Sequence, residues 1–115
     1  MDIQRFPGNA TGRNRAVAFR DLVFTVATAP GATSIQEQTR QVLARIEQNL
    51  ADAGSDKTRL LSATVYLADI ASKAAMDEVW NQWIGPENWP QRACVQVGLT
   101  PGVLVEITVV AALAG

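Results

Sequence analysis

Apolar and polar positions change period several times along the chain, and each change predicts an element. Ile3 to Phe6 fits a short first strand. Ala16 to Phe19 and Leu22 to Ala27 are apolar, β-prone runs. They are joined by Arg20-Asp21, the spacing of a two-residue hairpin, although Arg-Asp is not a favoured turn pair. Thr28 to Thr33 holds Pro30 and Gly31 and reads as a loop. The period then lengthens: Ile35, Val42, Leu43, Ile46 and Leu50 share one stripe of a 3.6-residue repeat, which predicts an amphipathic helix. Ser34-Ile35-Gln36-Glu37 has the form of a capping box, with each side chain accepting from the other residue's amide. Gly54 follows Ala53, where a left-handed C-cap would end the helix.

The second half repeats the alternation. Leu60 to Leu67 reads as a strand, with Leu61, Ala63, Val65 and Leu67 on one side and Ser62, Thr64 and Tyr66 on the other. Ser72 can cap a helix to about Ile84 with a stripe of Met76, Val79, Trp80 and Trp83, ended by Gly85-Pro86. Arg92 to Leu99 and Val103 to Ala112 read as two strands joined by the turn Thr100-Pro101-Gly102. The order β-β-β-α-β-α-β-β predicts an α+β fold, a mixed sheet with two helices on one face. The other face would carry Tyr66, Leu104 and Val110 beside Thr64 and Thr108. A half-apolar face with nothing left in the chain to cover it predicts a homo-oligomer.

Composition narrows the chemistry. With 115 residues, 48% of them apolar and 18% charged, the chain is expected to form a single globular domain over 1–115. It has no histidine, which removes His general bases, His metal ligands and His-activated nucleophiles. Its single cysteine, Cys94, can form neither an internal disulfide nor a Cys-based zinc site. Ten basic and eleven acidic residues without a basic run give nucleic-acid binding little support. The segment MDIQRFPGNA lacks the apolar core of a signal peptide, and Val103 to Ala114 is too short to span a membrane. A soluble, cytoplasmic protein is the expectation.

Glu106 stands out because it interrupts an otherwise apolar strand, where a carboxylate is costly to bury without a partner. A strand-edge glutamate facing water is the plainer alternative. If the last two strands form an antiparallel hairpin, Glu106 lies opposite residues near Cys94, with Arg92 a diagonal neighbour on the same face. An arginine fork suits a bidentate grip on a substrate carboxylate, whereas a purely structural Arg-Glu pair is the commoner outcome. Cys94 lacks a histidine to activate it and reads as a small core residue. Tyr66 and the three tryptophans, Trp80, Trp83 and Trp89, read as packing residues. Gly8 and Gly12 lack the strand-to-helix context of a phosphate loop.

Pro90-Gln91-Arg92-Ala93-Cys94-Val95, followed by Val105-Glu106-Ile107, resembles the C-terminal signature of the Rid family, the reactive intermediate deaminases or YjgF-like proteins. The likeness extends to Gln38-Thr39-Arg40-Gln41-Val42-Leu43, Thr64-Val65-Tyr66-Leu67-Ala68-Asp69-Ile70 and Met76-Asp77-Glu78-Val79-Trp80, and spans about residues 15 to 112, closest to a short-chain subgroup. It implies a fold like trimeric chorismate mutase, a homotrimer with clefts between subunits, and hydrolysis of 2-imino acids or their enamines to 2-oxo acids and ammonia with no cofactor or metal. By motif, Arg92 would hold the substrate carboxylate, Glu106 would place or activate the water, and main-chain groups at Cys94 would help to position the substrate.

Several positions depart from the family pattern. Arg13 stands where a cleft tyrosine is usual, Val26-Ala27 replaces Ser-Gly, Asp77 replaces an asparagine, and Gln91 replaces a small residue. The cleft lining is therefore changed at Arg13, Val26 and Asp77, and Arg13 could bind a second acidic group. A non-catalytic binder of small carboxylates or 2-oxo acids, or a stress-protective protein on the same scaffold, is the alternative. A chorismate mutase would need several cations around a dicarboxylate, and ribonuclease activity finds no support in charge or histidine content.

Overall fold

The computed structural model describes residues 2–114. Its elements are β1 (Gln4–Pro7), β2 (Asn14–Phe19), β3 (Leu22–Thr28), α1 (Ile35–Ala53), β4 (Leu60–Leu67), α2 (Lys73–Ile84), β5 (Gln91–Gln96) and β6 (Val105–Ala112). The six strands form one sheet in the order β1-β2-β3-β6-β4-β5. Every pairing is antiparallel except β4 with β5. The predicted α+β layering holds, because the buried residues of both helices join the buried sheet residues in one core.

Alternation decides what that core contains. Val105, Ile107, Val109 and Ala111 of β6 turn to the helices, as do Ala63, Val65 and Leu67 of β4 and Val23 and Ala27 of β3. From α1, Val42, Leu43, Ile46 and Leu50 meet them. Burying each of the valine, leucine and isoleucine side chains among them stabilises the fold by roughly 1.5–3 kcal/mol relative to leaving it in water. The cap of α1 forms at both ends. The Ser34 hydroxyl accepts from the Glu37 amide at 3.1 Å, while the Glu37 carboxylate turns to Arg40 and Gln41 rather than back to Ser34. Gly54 takes φ 90° and the Ser55 amide donates to Leu50 O at 2.8 Å, the closure that a left-handed C-cap provides. The hairpin at Arg20-Asp21 also forms, with Phe19 opposite Leu22 and Arg20 at φ 56°.

Two expectations fail for reasons that local patterning does not carry. The final hairpin does not exist: β4 lies between β5 and β6. The turn itself is present, with the Val103 amide donating to Thr100 O at 2.9 Å and Gly102 at φ 88°, but it lies in a connection that crosses to the far side of β4. β6 alternates strictly between buried and half-buried residues and has the pattern of an interior strand; β5 is mostly exposed and suits an edge. The crossover through α2 makes β5 parallel to β4, and β6 takes the opposite edge of β4. The second failure is Leu61. A register shift between Leu60 and Ser62 leaves Leu60 6% exposed and Leu61 50% exposed, so Leu60 joins the core in its place.

Gln38 holds the crossing segment in position. It is fully buried on α1, and its amide donates to Ala32 O at 2.9 Å and Gly102 O at 3.2 Å. Its carbonyl accepts from the amides of Leu104 at 2.6 Å and Val105 at 3.3 Å.

The opposite face of the sheet carries cross-strand rows. One runs Val17, Phe24, Val110, Ser62, Gln91, the next Val26, Thr108, Thr64, Ala93, and the third Thr28, Glu106, Tyr66, Val95. Phe24 and Val95 are exposed there. Among the described residues no helix covers this face, which is the mixed apolar and polar surface that the sequence led us to expect.

Candidate functional site

Arg92 lies near the start of edge strand β5, in register with Ala63, and therefore points to the helix side of the sheet. There α2 receives it. One guanidinium nitrogen donates to Asp77 Oδ1 at 2.7 Å, and the group sits 5.2 Å from the centre of the Trp80 ring. Lys73, one helical turn before Asp77, donates to its other oxygen at 2.8 Å. Asp77 thus bridges two cations. Burial pushes its carboxyl up, but the hydrogen bonds from Lys73 and Arg92, with their charges, outweigh this and hold it below its ordinary value of 3.8. Cys94 follows on the same face, opposite Val65 and partly buried against the core. Burial, its largest influence, raises the thiol above 9.0 in spite of the nearby Arg92 and Lys73, so it is a poor nucleophile at neutral pH.

Glu106 lies elsewhere. It is the register partner of Thr28 on one side and Tyr66 on the other, half-buried on the uncovered face. With two strand spacings across the sheet and three residues along it, its Cα is roughly 14 Å from that of Arg92, and the two side chains leave opposite faces. The predicted diagonal contact between Arg92 and Glu106 is thus corrected by the strand order. Arg92 does have a structural acidic partner, but it is Asp77.

What Glu106 does share is a cavity of about 740 Å³ with Arg13, Val26, Thr28 and Arg45. The sequence-named residues therefore fall into two groups. Arg92, Cys94 and Asp77 sit at the β5–α2 edge; Glu106, Arg13 and Val26 meet in the cavity at the other side of β6. A second groove, about 490 Å³ between α1 and α2, lies on the outer surface of the helix layer and includes Leu43, Val79 and Trp83 but none of these groups.

Sequence reasoning missed Lys73, Trp80 and Arg45 as parts of these groups. Lys73 was detectable, because Lys and Asp four apart on a helix face each other. Trp80 is buried as expected but also serves as the platform for Arg92. Trp89, read as core, is 71% exposed, with its indole nitrogen donating to Gly85 O at 2.7 Å. Among the described residues no helix is long and apolar enough to cross a membrane, and no cluster of three or more acidic or cysteine residues could hold a metal ion.

The sequence profile described as Endoribonuclease L-PSP matches residues 8–113. The chain belongs to the YjgF/RutC family. A "RutC family protein" from Haemophilus influenzae is 38% identical over 115 residues, covering 96% of this chain and 98% of that protein. Among solved structures, a YjgF-family protein from Neisseria meningitidis superposes with a TM-score of 0.93 at 38% identity, covering 100% of this chain and 98% of that one. A YjgF/YER057c/UK114-family protein from Mycobacterium tuberculosis gives 0.89 at 29% identity, covering 97% of this chain and 100% of that one. The resemblance read from the C-terminal motif is thereby established, and the six-stranded sheet with two helices is the chorismate-mutase-like fold of the YjgF/RutC proteins.

Proposed function

We infer that this protein hydrolyses 2-imino acids, or their enamine tautomers, to 2-oxo acids and ammonia. In this reading the enzyme acts in the cytoplasm without a cofactor, in clefts between the subunits of a homotrimer. The observation that carries the reading is the separation of Arg92 from Glu106. Each occupies a half-site with the chemistry of one task, and the two point away from each other within one chain. Joining β5 of one copy to the Glu106 cavity of another completes a site, and the uncovered sheet face supplies the surface for that union.

The chemistry needs little more. The Arg92 fork, fixed by Asp77 and Trp80, binds the α-carboxylate of the imine and orients its C=N bond. Because β5 is an edge strand, half of its backbone donors and acceptors point away from β4, and those beside Cys94 can hold the substrate. Glu106 accepts a proton from water as its oxygen attacks the imine carbon, and the nitrogen gains a proton. The resulting tetrahedral carbinolamine breaks its C–N bond, releases ammonia and leaves the 2-oxo acid. An imine is already electrophilic, so one carboxylate and accurate placement can serve without histidine.

The test is a panel of imines made in place by an amino-acid oxidase, with semicarbazide as a competing trap. The protein should speed ammonia and 2-oxo acid release and reduce trapping, and Arg92→Ala should abolish the effect. Full activity in that variant overturns the assignment of Arg92. Tight 2-oxo acid binding without turnover of any imine would favour the carboxylate-binding alternative.

A further inference from the structure

The cavity beside Glu106 holds more positive charge than that carboxylate requires. Arg13, Arg15 and Arg45 line it, against Asp52 and Glu106. Arg15 is engaged by Asp52 at 2.8 Å and Asn49 at 3.0 Å. Arg45 reaches from α1 to the carbonyl of Thr28 at 2.6 Å, and Thr28 is the register partner of Glu106. A carbonyl is neutral, so this contact fixes the side chain beside Glu106 without cancelling its charge. Arg13 makes no hydrogen bond or ion pair among the described residues, and Glu106 has no ion pair among them either.

The two ends of the proposed site therefore have the same charge. At β5, Arg92 and Lys73 face the single carboxylate of Asp77, leaving one positive charge. In the cavity, three arginines face two carboxylates, again leaving one. A ligand with one carboxylate satisfies only the first end. We propose that Arg13 and Arg45 form a second anion subsite, and that the preferred substrate is a 2-imino acid with an acidic side chain, a dicarboxylate. Its α-carboxylate goes to Arg92 and its distal carboxylate to the cavity, where the planar guanidinium groups match it. A neutral side chain leaves the cavity arginines unpaired, and a cationic one is repelled by them. The proposal rests on Arg92 as the α-carboxylate anchor, as inferred above.

The test compares the binding of two stable products of equal chain length by calorimetry: 2-oxoglutarate, which has the distal carboxylate, and 2-oxopentanoate, which lacks it. The intact protein should bind the diacid about tenfold or more tighter, the worth of a charge-assisted contact. Arg13→Ala with Arg45→Ala should reduce that preference to about threefold or less, and Arg13→Lys should retain part of it. Both side chains are exposed, so the substitutions remove no core packing; if the double variant nevertheless folds poorly, the single Arg13→Ala variant should still lower the preference, to a value between those of the intact and double-substituted proteins. Equal affinity for the two acids in the intact protein, or a preference that survives the double substitution, overturns the proposal. Absence of imine turnover with an intact, arginine-dependent diacid preference would remove the deaminase reading and leave the subsite standing. Turnover without any diacid preference would do the reverse.

Discussion

Arg92 sits on an edge strand and yet is the better held of the two central groups. Asp77 grips it from one side, Trp80 supports it from another, and Lys73 secures Asp77 in turn. Glu106 sits on an interior strand and yet faces a cavity whose nearby guanidinium groups leave it unpaired. Strand position alone would suggest the opposite. The difference fits the proposed tasks: a carboxylate anchor gains from being fixed before the substrate arrives, whereas a group that takes and returns a proton must stay free of a permanent cation. On the proposed function, neither region is a site by itself.

The strongest way to break this comparison is to disable each region in turn. Glu106→Gln keeps shape and removes the base; kcat for imine hydrolysis should fall about 10²- to 10⁴-fold with KM little changed. A variant retaining its rate would show that Glu106 is not the proton acceptor. Arg92→Ala should lower kcat/KM by about 100-fold or more, enough to abolish release in the trapping assay, chiefly by losing carboxylate binding. Co-assembly sharpens the contrast further. If each cleft takes Arg92 from one copy and Glu106 from another, mixing equal amounts of the two inactive variants restores about a quarter of the activity, the share of clefts with both residues intact. No recovery in verified mixed oligomers would mean that the two residues do not meet between subunits.

A smaller effect is expected at the support of Arg92. Asp77→Asn keeps a hydrogen-bonding oxygen but removes the charge, so KM should rise several-fold, about 3 to 10 times, while kcat changes less. The same pair has a pH signature. Asp77 is held below 3.8 in the folded protein, so the stability it adds is complete above that value and is lost as pH falls through the lowered one. Thermal melting from pH 6 downward should show an acid-side loss of about 1 kcal/mol or less that Asp77→Asn lacks, since the group is partly solvated. Cys94 should show the least: alkylation by iodoacetamide should be slower at neutral pH than that of a free cysteine thiol, because burial raises the thiol.

Periodicity made the elements legible, and the motifs around Arg92 and Glu106 carried the resemblance to the family to which the chain belongs. What it could not supply was adjacency. Thr100-Pro101-Gly102 forms the same turn whether or not the flanking strands pair, so a local signal could not reveal that β4 comes between them. Strand order is settled by which strands can bury both neighbours, a property of the whole sheet. The Asp77–Arg92 pair was hidden for the same reason, since it closes only once the α2 crossover lays the helix beside β5. Leu61 failed on a single irregularity at the start of β4, which exchanges Leu60 for Leu61 in the core while Ala63, Val65 and Leu67 keep the predicted side, and it leaves no mark in hydrophobicity.

Gln38 adds a dynamic consequence. The amides of Leu104 and Val105 lie at the entry to β6, and both donate to one side-chain oxygen on α1. Releasing them requires a fully buried amide to leave its pocket or the first half of α1 to unwind. Their exchange with heavy water should therefore be as slow as that of the helix core, far slower than an irregular segment would ordinarily show. Such protection would place the connection running to Glu106 in the same cooperative unit as α1, so that loosening the helix releases the entry to β6 with it.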